Sequence, residues 1–252
     1  MHRGLKRFLY GLLCLAVFGA LVAGVYFLLL KPAPTCFDLK LNQNEEEIDC
    51  GGVCAKDCAV ATLRPIEVPD GVALFPLDAA RASILVRVVN PNTTHGARNF
   101  AYRITFFDGE ERILKTLSGN SFLHAGEESY VFLPIVEIST DRVGRSEFAI
   151  DAPEWIRAAE FLAPRIKIDS LKTIRDTREI RVEGLIENKD QIALASVRIL
   201  SLFYGSSSIL LGAAETEVDA LEPAEVRAFT ILRPLIAGID PLRTQVVPVA
   251  IR

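Results

Sequence analysis

SILVRVVNPN, residues 83–92, returns later in the chain as EIRVEGLIENKD, residues 179–190, and this pair decides the fold. Each is an extended run rich in β-branched and long apolar residues, a composition that suits strands, and each ends in an asparagine, Asn90 or Asn188, 98 residues apart. Further matches follow in the same order. FAYRITFFDG (100–109) pairs with SVRILSLFYG (196–205), both closed by an aromatic residue and glycine. SFLHAGEESYVFLP (121–134) pairs with DALEPAEVRAFTILRP (219–234), with turns at Ala125-Gly126-Glu127 and Pro223-Ala224-Glu225; RSEFAI (145–150) pairs with RTQVVPV (243–249). The offset is 98 at the first and last pairs and 96 at the second, so a period of this size reads as two copies of one domain.

The alternation says how the strands pack. Tyr102, Ile104 and Phe106 share one face while Arg103 and Thr105 point the other way; in the second copy Val197 and Ile199 are followed by Ser201 and the face is less regular, although Leu200 and Leu202 restore it. Strands with one buried face and turns every 8 to 15 residues predict an all-β fold of two tandem antiparallel Ig-like β-sandwiches, at 63–163 and 164–252. In PEWIRAAEFL (153–162), Trp155, Ala158, Ala159 and Leu162 fall at helical spacing, which fits a short helical linker or the end of the first sandwich.

Ahead of the copies lies FLYGLLCLAVFGALVAGVYFLLL, residues 8–30, without a charge. At about 1.5 Å per residue it is long enough for a hydrocarbon core of about 30 Å. His2, Arg3, Lys6 and Arg7 precede it and acids follow from Asp38, so the positive-inside rule predicts a single-pass helix with residues 1–7 as a cytoplasmic tail and the rest extracytoplasmic. A cleaved signal peptide is the competing reading, but its apolar region usually spans only about 7 to 15 residues. Cys14, preceded by Leu13, reads as an ordinary thiol in that helix. Gly11, Gly19 and Gly24 are not at GxxxG spacing.

Residues 31–62 form a cysteine-rich linker. Cys36, Cys50, Cys54 and Cys58, placed outside the cell, predict two disulfides in any of three pairings. A segment with few large apolar residues has little core to hold it, and bridges supply the order instead. Asp38, Asn42, Asn44, Glu45 and Asp49 are hard oxygen donors of the sort calcium takes, although the spacing is not that of an EF-hand. Calcium at Asp38, Asn42, Glu45 and Asp49 is therefore an alternative to a disulfide-tied spacer with a solvated acidic face. Four zinc-binding thiolates fit neither the C-x3-C-x3-C spacing nor an oxidising compartment. Cys36, Asp38, Asn42, Glu45, Asp49, Cys50, Gly51, Gly52 and Cys54 resemble a short module of bacterial surface proteins, close to C-x-D-G-x-x-N-x-x-E-x-x-x-D-C-G-G-x-C, with Leu39 in place of its glycine. That resemblance implies an extracytoplasmic location.

Ile104-Thr105-Phe106-Phe107-Asp108 and Leu200-Ser201-Leu202-Phe203-Tyr204, with the strand-ending asparagines, resemble the FxLYD and water-stress-type families of small seven-stranded sandwiches. The resemblance implies non-catalytic adhesive, structural or spacer modules, many of them on bacterial and archaeal envelope proteins.

A net charge of −4 without a basic face argues against nucleic acid as a partner. His2, His95 and His124 have no zincin spacing, and no nucleophile elbow, P-loop or dinucleotide motif occurs. Asp108, Glu110 and Glu111 read as hairpin-turn chemistry, Asn92-Thr93-Thr94 as a loop that happens to satisfy the glycosylation pattern, and Trp155 as core. The expectation is a non-enzymatic single-pass cell-envelope protein, bound to the membrane through residues 8–30. Its β domains would engage another envelope protein or surface component, or act as structure. A calcium-, glycan- or small-ligand-binding surface module is the alternative. No cofactor is expected unless calcium binds.

Overall fold

The computed structural model describes residues 3–26, 35–45, 48–54, 58 and 62–250. It divides into two compact units, Met1–Thr62 and Leu63–Arg252.

In the first unit, α1 covers Arg3–Val25. The side chains of residues 3–9 and of Ala23, and all of residues 1–2 and 27–34, lie outside the described residues, and the expected span over 8–30 falls partly there. Among the described residues no helix is long and apolar enough to cross a membrane.

In the second unit the first copy contributes β1 (Val72–Pro76), β2 (Arg81–Val89), β3 (His95–Phe107), β4 (Ile113–Leu123), β5 (Glu128–Glu137), β6 (Arg145–Ile150) and β7 (Glu154–Arg157). The second contributes β8 (Ile166–Arg175), β9 (Glu179–Asn188), β10 (Leu194–Tyr204), β11 (Leu210–Leu221), β12 (Val226–Pro234) and β13 (Gln245–Ala250). All pairings are antiparallel. Sheets β1-β2-β5 and β4-β3-β6 belong to the first copy, and β8-β9-β12 and β11-β10-β13 to the second, so both copies share one topology. The helical reading of 153–162 gives way here: Glu154–Arg157 is β7, a short extra strand paired with the start of β3, and Trp155 packs on the first core.

Three apolar clusters hold four sheets. Ile84, Val86, Phe100, Ile104 and Phe106 centre the cluster between the sheets of the first copy. Ile180, Val182, Val197, Ile199, Phe203 and Ile231 do the same in the second. The third cluster, Phe75, Leu85, Phe132, Leu200, Leu202 and Ala213, joins the outer face of β1-β2-β5 to the outer face of β11-β10-β13. The second unit is therefore a stack of four sheets with a seam in the middle. β2 and β10 are buried on both faces, which is why Ser83 to Val86 and Ile199 to Phe203 are continuously buried.

Seam and strand register together correct the alignment of the copies. Gly144 N–H donates to Phe107 O at 2.8 Å, and Asp240 N–H to Tyr204 O at 2.9 Å; Glu111 N–H closes the turn onto Asp108 O, and Ser208 N–H onto Gly205 O. Phe107 thus corresponds to Tyr204 and Asp108 to Gly205, one residue away from the match by composition. A one-residue slip exchanges the two faces of a strand. With it removed, Leu200 and Leu202 face the seam, where the first copy has Arg103 and Thr105.

The repeated asparagines are buried clamps. Asn90 Nδ2 donates to His95 O (2.8 Å) and His124 O (2.9 Å), while its Oδ1 accepts from Asn92 N–H (3.0 Å). Asn188 Nδ2 donates to Ile192 O (2.8 Å) and Leu221 O (3.0 Å), and its Oδ1 accepts from Asp190 N–H (2.9 Å). In each copy the next but one residue, Asn92 or Asp190, binds the main chain of the entering segment at Arg64 or Arg165. Glu127 and Glu225 cap the β4–β5 and β11–β12 turns by accepting from His124 N–H and Glu222 N–H. Gly126 and Ala224 adopt positive φ at equivalent turn positions, +67° and +58°.

Candidate functional site

In the first unit the pairing left open by the sequence is Cys36–Cys54 and Cys50–Cys58, with Cα separations of 5.6 and 5.0 Å. The four oxygen-bearing residues act on the loop itself. Asp49 accepts from Asp38 N–H and Leu39 N–H. Asp38 accepts from Lys40 N–H and Asn42 Nδ2. Glu45 accepts from Asn42 N–H and Asp49 N–H. Asn42 Oδ1 is buried with no hydrogen-bond partner among the described residues. Among the described residues the module's one group of three close donor side chains is Cys36, Glu45 and Cys54, and both of those sulfurs are tied in one disulfide. Asp38, Glu45 and Asp49 thus accept from the loop's own N–H groups, while Asn42 donates through Nδ2 to Asp38 and to Lys40 O; among the described residues the three carboxylates form no close group of three. Leu39, where the resembling module has glycine, sits at φ 58°, so the left-handed turn is made at the cost of strain. Gly52 is required: at φ +57° a Cβ there would lie 1.8 Å from Asn44 O.

Within the second unit, a hollow of about 260 Å³ opens at one end of the seam, lined by Asp70, Arg87, Glu128 and Tyr130 of the first copy and Tyr204 and Gln245 of the second. Arg87 holds Asp70 through two bonds (2.6 and 3.2 Å) and Glu128 through a third (3.2 Å). Tyr130 OH donates to Glu128 Oε1 (3.2 Å). Burial, helped by the Glu128 carboxylate, pushes the Tyr130 phenol up to about 12, and burial also raises Tyr204. The Asp70 hydrogen bond raises the Arg87 guanidinium. An apolar floor, two phenols and a closed charge network suit a small polar ligand or the edge of another chain. Sequence reasoning missed this set because its members lie in five separated stretches that only the seam brings together.

A second feature of the seam is Arg233, buried to 8% exposure. It donates from Nη1 to Ala213 O and, at 3.5 Å, to Ser83 Oγ of the other copy. Burial lowers its pKa. Gly212 makes room for it, since a Cβ there would lie 3.1 Å from Cζ. Glu215, paired opposite Leu200, is pushed up by burial with partial relief from Arg198.

The remaining sequence candidates are structural. His124 is buried, bonded through Nδ1 to Glu127 Oε2 (2.9 Å) and stacked on Phe161 at 4.4 Å. His95 is buried as well, with Nδ1 3.1 Å from Thr94 Oγ1. Asp108 caps its hairpin by accepting from Glu110 N–H, Arg112 N–H and Arg112 Nε; Arg112 holds its carboxyl below the usual range. Asn92 is 8% exposed with both ends of its amide engaged, so it has no free Nδ2 to carry a glycan.

No protein-family model and no curated protein matches the chain. Among solved structures, red sea bream transglutaminase aligns at 10% identity and a TM-score of 0.20, over 72% of this chain and 31% of that one. The chain thus spans under a third of that enzyme's length. The N-terminal CBM22-1-CBM22-2 tandem domain of Paenibacillus barcinonensis Xyn10C aligns at 10% identity and a TM-score of 0.14, over 73% and 85% of the two chains. Neither likeness carries a functional argument.

Proposed function

We propose that this is a non-enzymatic, single-pass envelope protein, anchored by residues 8–30 with its N-terminus in the cytoplasm. Its two Ig-like sandwiches, homologous to one another, serve outside as one stiff interaction or spacer element. The observation that carries the reading is the seam: Leu85, Phe132, Leu200 and Leu202 are at most 6% exposed, and burial of four such side chains contributes up to about 6 to 12 kcal/mol before chain-entropy costs. A joint of that strength resists the hinging expected of beads on a flexible linker. The charge-free run at 8–30 and the two disulfides support the anchor and the oxidising location.

Thiol labelling of the full chain in intact cells tests the placement. Cys36, Cys50, Cys54 and Cys58 should resist alkylation until reduced, and a reporter fused after Arg252 should be reached by external protease. Four thiols that label without reduction would sink the reading.

The hollow beside Tyr130 and Tyr204 favours the second reading, a module for a small polar ligand such as a glycan. Saturable quenching of tyrosine fluorescence by an oligosaccharide, lost in Tyr204→Ala, would replace the first reading with this one.

A further inference from the structure

A sheet edge offers a row of unpaired N–H and C=O groups, and proteins usually blunt it with proline, charge, shortness or a bulge. The described edges can be compared one by one. β1 is five residues long and ends in Pro76; β5 carries Pro134, Glu128 and Glu137; β6 carries Arg145 and Glu147 within six residues; β7 has four residues with Glu154 and Arg157. β8 carries Lys167, Asp169, Lys172 and Arg175 and a register break; β12 carries Arg227, Arg233 and Pro234; β13 has Pro248.

β4 is the exception. It runs for 11 residues as ILKTLSGNSFL, with Lys115 its single charge and no proline; its register with β3 breaks only near its two ends, between Ile113 and Lys115 and between Ser121 and Leu123, and is unbroken from Lys115 to Ser121. It pairs with β3 and forms the end of its sheet. Thr116, Ser118 and Asn120 stand exposed along it. The contrast with the other copy is direct: opposite Leu200 and Arg198, where β4 has Ser118 and Asn120 opposite Arg103 and Ala101, β11 has Glu215 and Glu217. One copy guards this edge with acids, and the other leaves it neutral.

We propose that the free edge of β4 pairs with β4 of a second copy of this chain, antiparallel about a two-fold axis at Ser118. The strand is its own best complement. Residue 118 is the midpoint of Ile113–Leu123, so full overlap pairs Ser118 with Ser118, Thr116 with Asn120, and Lys115 with Ser121, and no like charges face each other. The result is one continuous antiparallel sheet, β6-β3-β4 followed by the second copy's β4-β3-β6, in the isologous arrangement usual for dimers. An extended peptide of another protein would meet a neutral row of Thr, Ser and Asn with little to select it.

The test uses the full chain in detergent with Cys14→Ser as background, so that no free thiol remains. Ser118→Cys brings two thiols together across the axis at a Cβ separation of about 5 Å; Thr116→Cys faces Asn120 instead. Mild oxidation should convert Ser118→Cys to a reducible dimer at twice 27.7 kDa, at least about ten-fold more completely than Thr116→Cys. Sedimentation of the background protein should show the same dimer, and Ser118→Lys, which sets two ammonium groups face to face at an exposed position, should return it to monomer, with the thermal midpoint that the background protein shows when diluted to monomer. A monomer at every concentration, equal cross-linking at 116 and 118, or a dimer that survives Ser118→Lys because α1 or another face holds it, would each overturn the proposal.

Discussion

The two copies share strand order, asparagine clamps and turn caps, yet their outer faces differ at the positions that matter most. On the β1-β2-β5 side the first copy shows Leu85 and Phe132, where the second has Glu183 and Thr230. On the β3 or β10 side the second copy shows Leu200 and Leu202, where the first has Arg103 and Thr105. One apolar face of each copy meets the other, and each copy turns its more polar face outward, with Leu185, Val226 and Leu232 left exposed among charged residues on the second copy's. The stack is closed at two, in the way terminal repeats of an array are capped by polar surfaces. Inner faces define a domain; outer faces decide how many domains associate.

The sharpest way to break this comparison is to trade equivalent positions. Leu202→Ala removes a fully buried side chain from the seam and should cost about 2 to 5 kcal/mol. Thr105→Ala, its counterpart in the first copy, should stay within about 0.5 kcal/mol; urea unfolding measures both. Equal costs would mean that the seam adds nothing.

Where the copies agree, effects should agree as well. Asn90→Ala strips two buried carbonyls of their donor and Asn188→Ala one buried and one part-buried, so each should lose about 2 to 4 kcal/mol, and the two midpoints should fall together. A loss confined to one copy would show that the clamps are not equivalent.

The hollow at the seam predicts a smaller effect that depends on pH. The folded Tyr130 phenol, at about 12, lies above its ordinary value of 10.0, so the fold favours the protonated form. The associated stability is complete below pH about 10 and declines as pH rises towards 12, where the folded phenol also ionises. Tyr130→Phe should unfold less steeply with alkali; Tyr102 and Tyr204, also raised by burial, keep some slope. An unchanged slope would remove Tyr130 from the account.

The smallest effect is expected at Arg233. A buried cation bonded to a carbonyl and a hydroxyl gains little over an apolar side chain of similar length, so Arg233→Met should shift stability by less than about 1 kcal/mol. A loss above about 3 kcal/mol would make it a rivet of the seam rather than a tolerated passenger.

The strands were legible because alternation in Tyr102 to Phe106 and the repeated Asn90 and Asn188 carry their information locally. The seam was not, since a strand buried on both faces looks like a poor alternation: the run from Ile199 to Phe203 read as irregular when it was apolar, or small, on both sides. Matching Gly109 to Gly205 followed composition, and only the turn hydrogen bonds at Asp108 and Gly205 expose the one-residue slip. Trp155, Ala158 and Leu162 kept helical spacing over too few residues to outweigh a free length of β3 waiting for a partner. In the cysteine module the donor types were readable, but whether Asp38, Glu45 and Asp49 bind an ion or their own main chain depends on loop turns at Leu39 and Asp49 that no spacing encodes. The Tyr130 hollow needs both copies in place before it exists.

Residue-resolved hydrogen exchange on the full chain in detergent tests the central claim most directly. If the seam makes the two copies one cooperative unit, the slowest amides of β2 and β9, around Val86 and Val182, will open with the same free energy, and Leu202→Asp will separate them into two classes. Two distinct opening free energies in the unaltered protein, unmoved by Leu202→Asp, would contradict it.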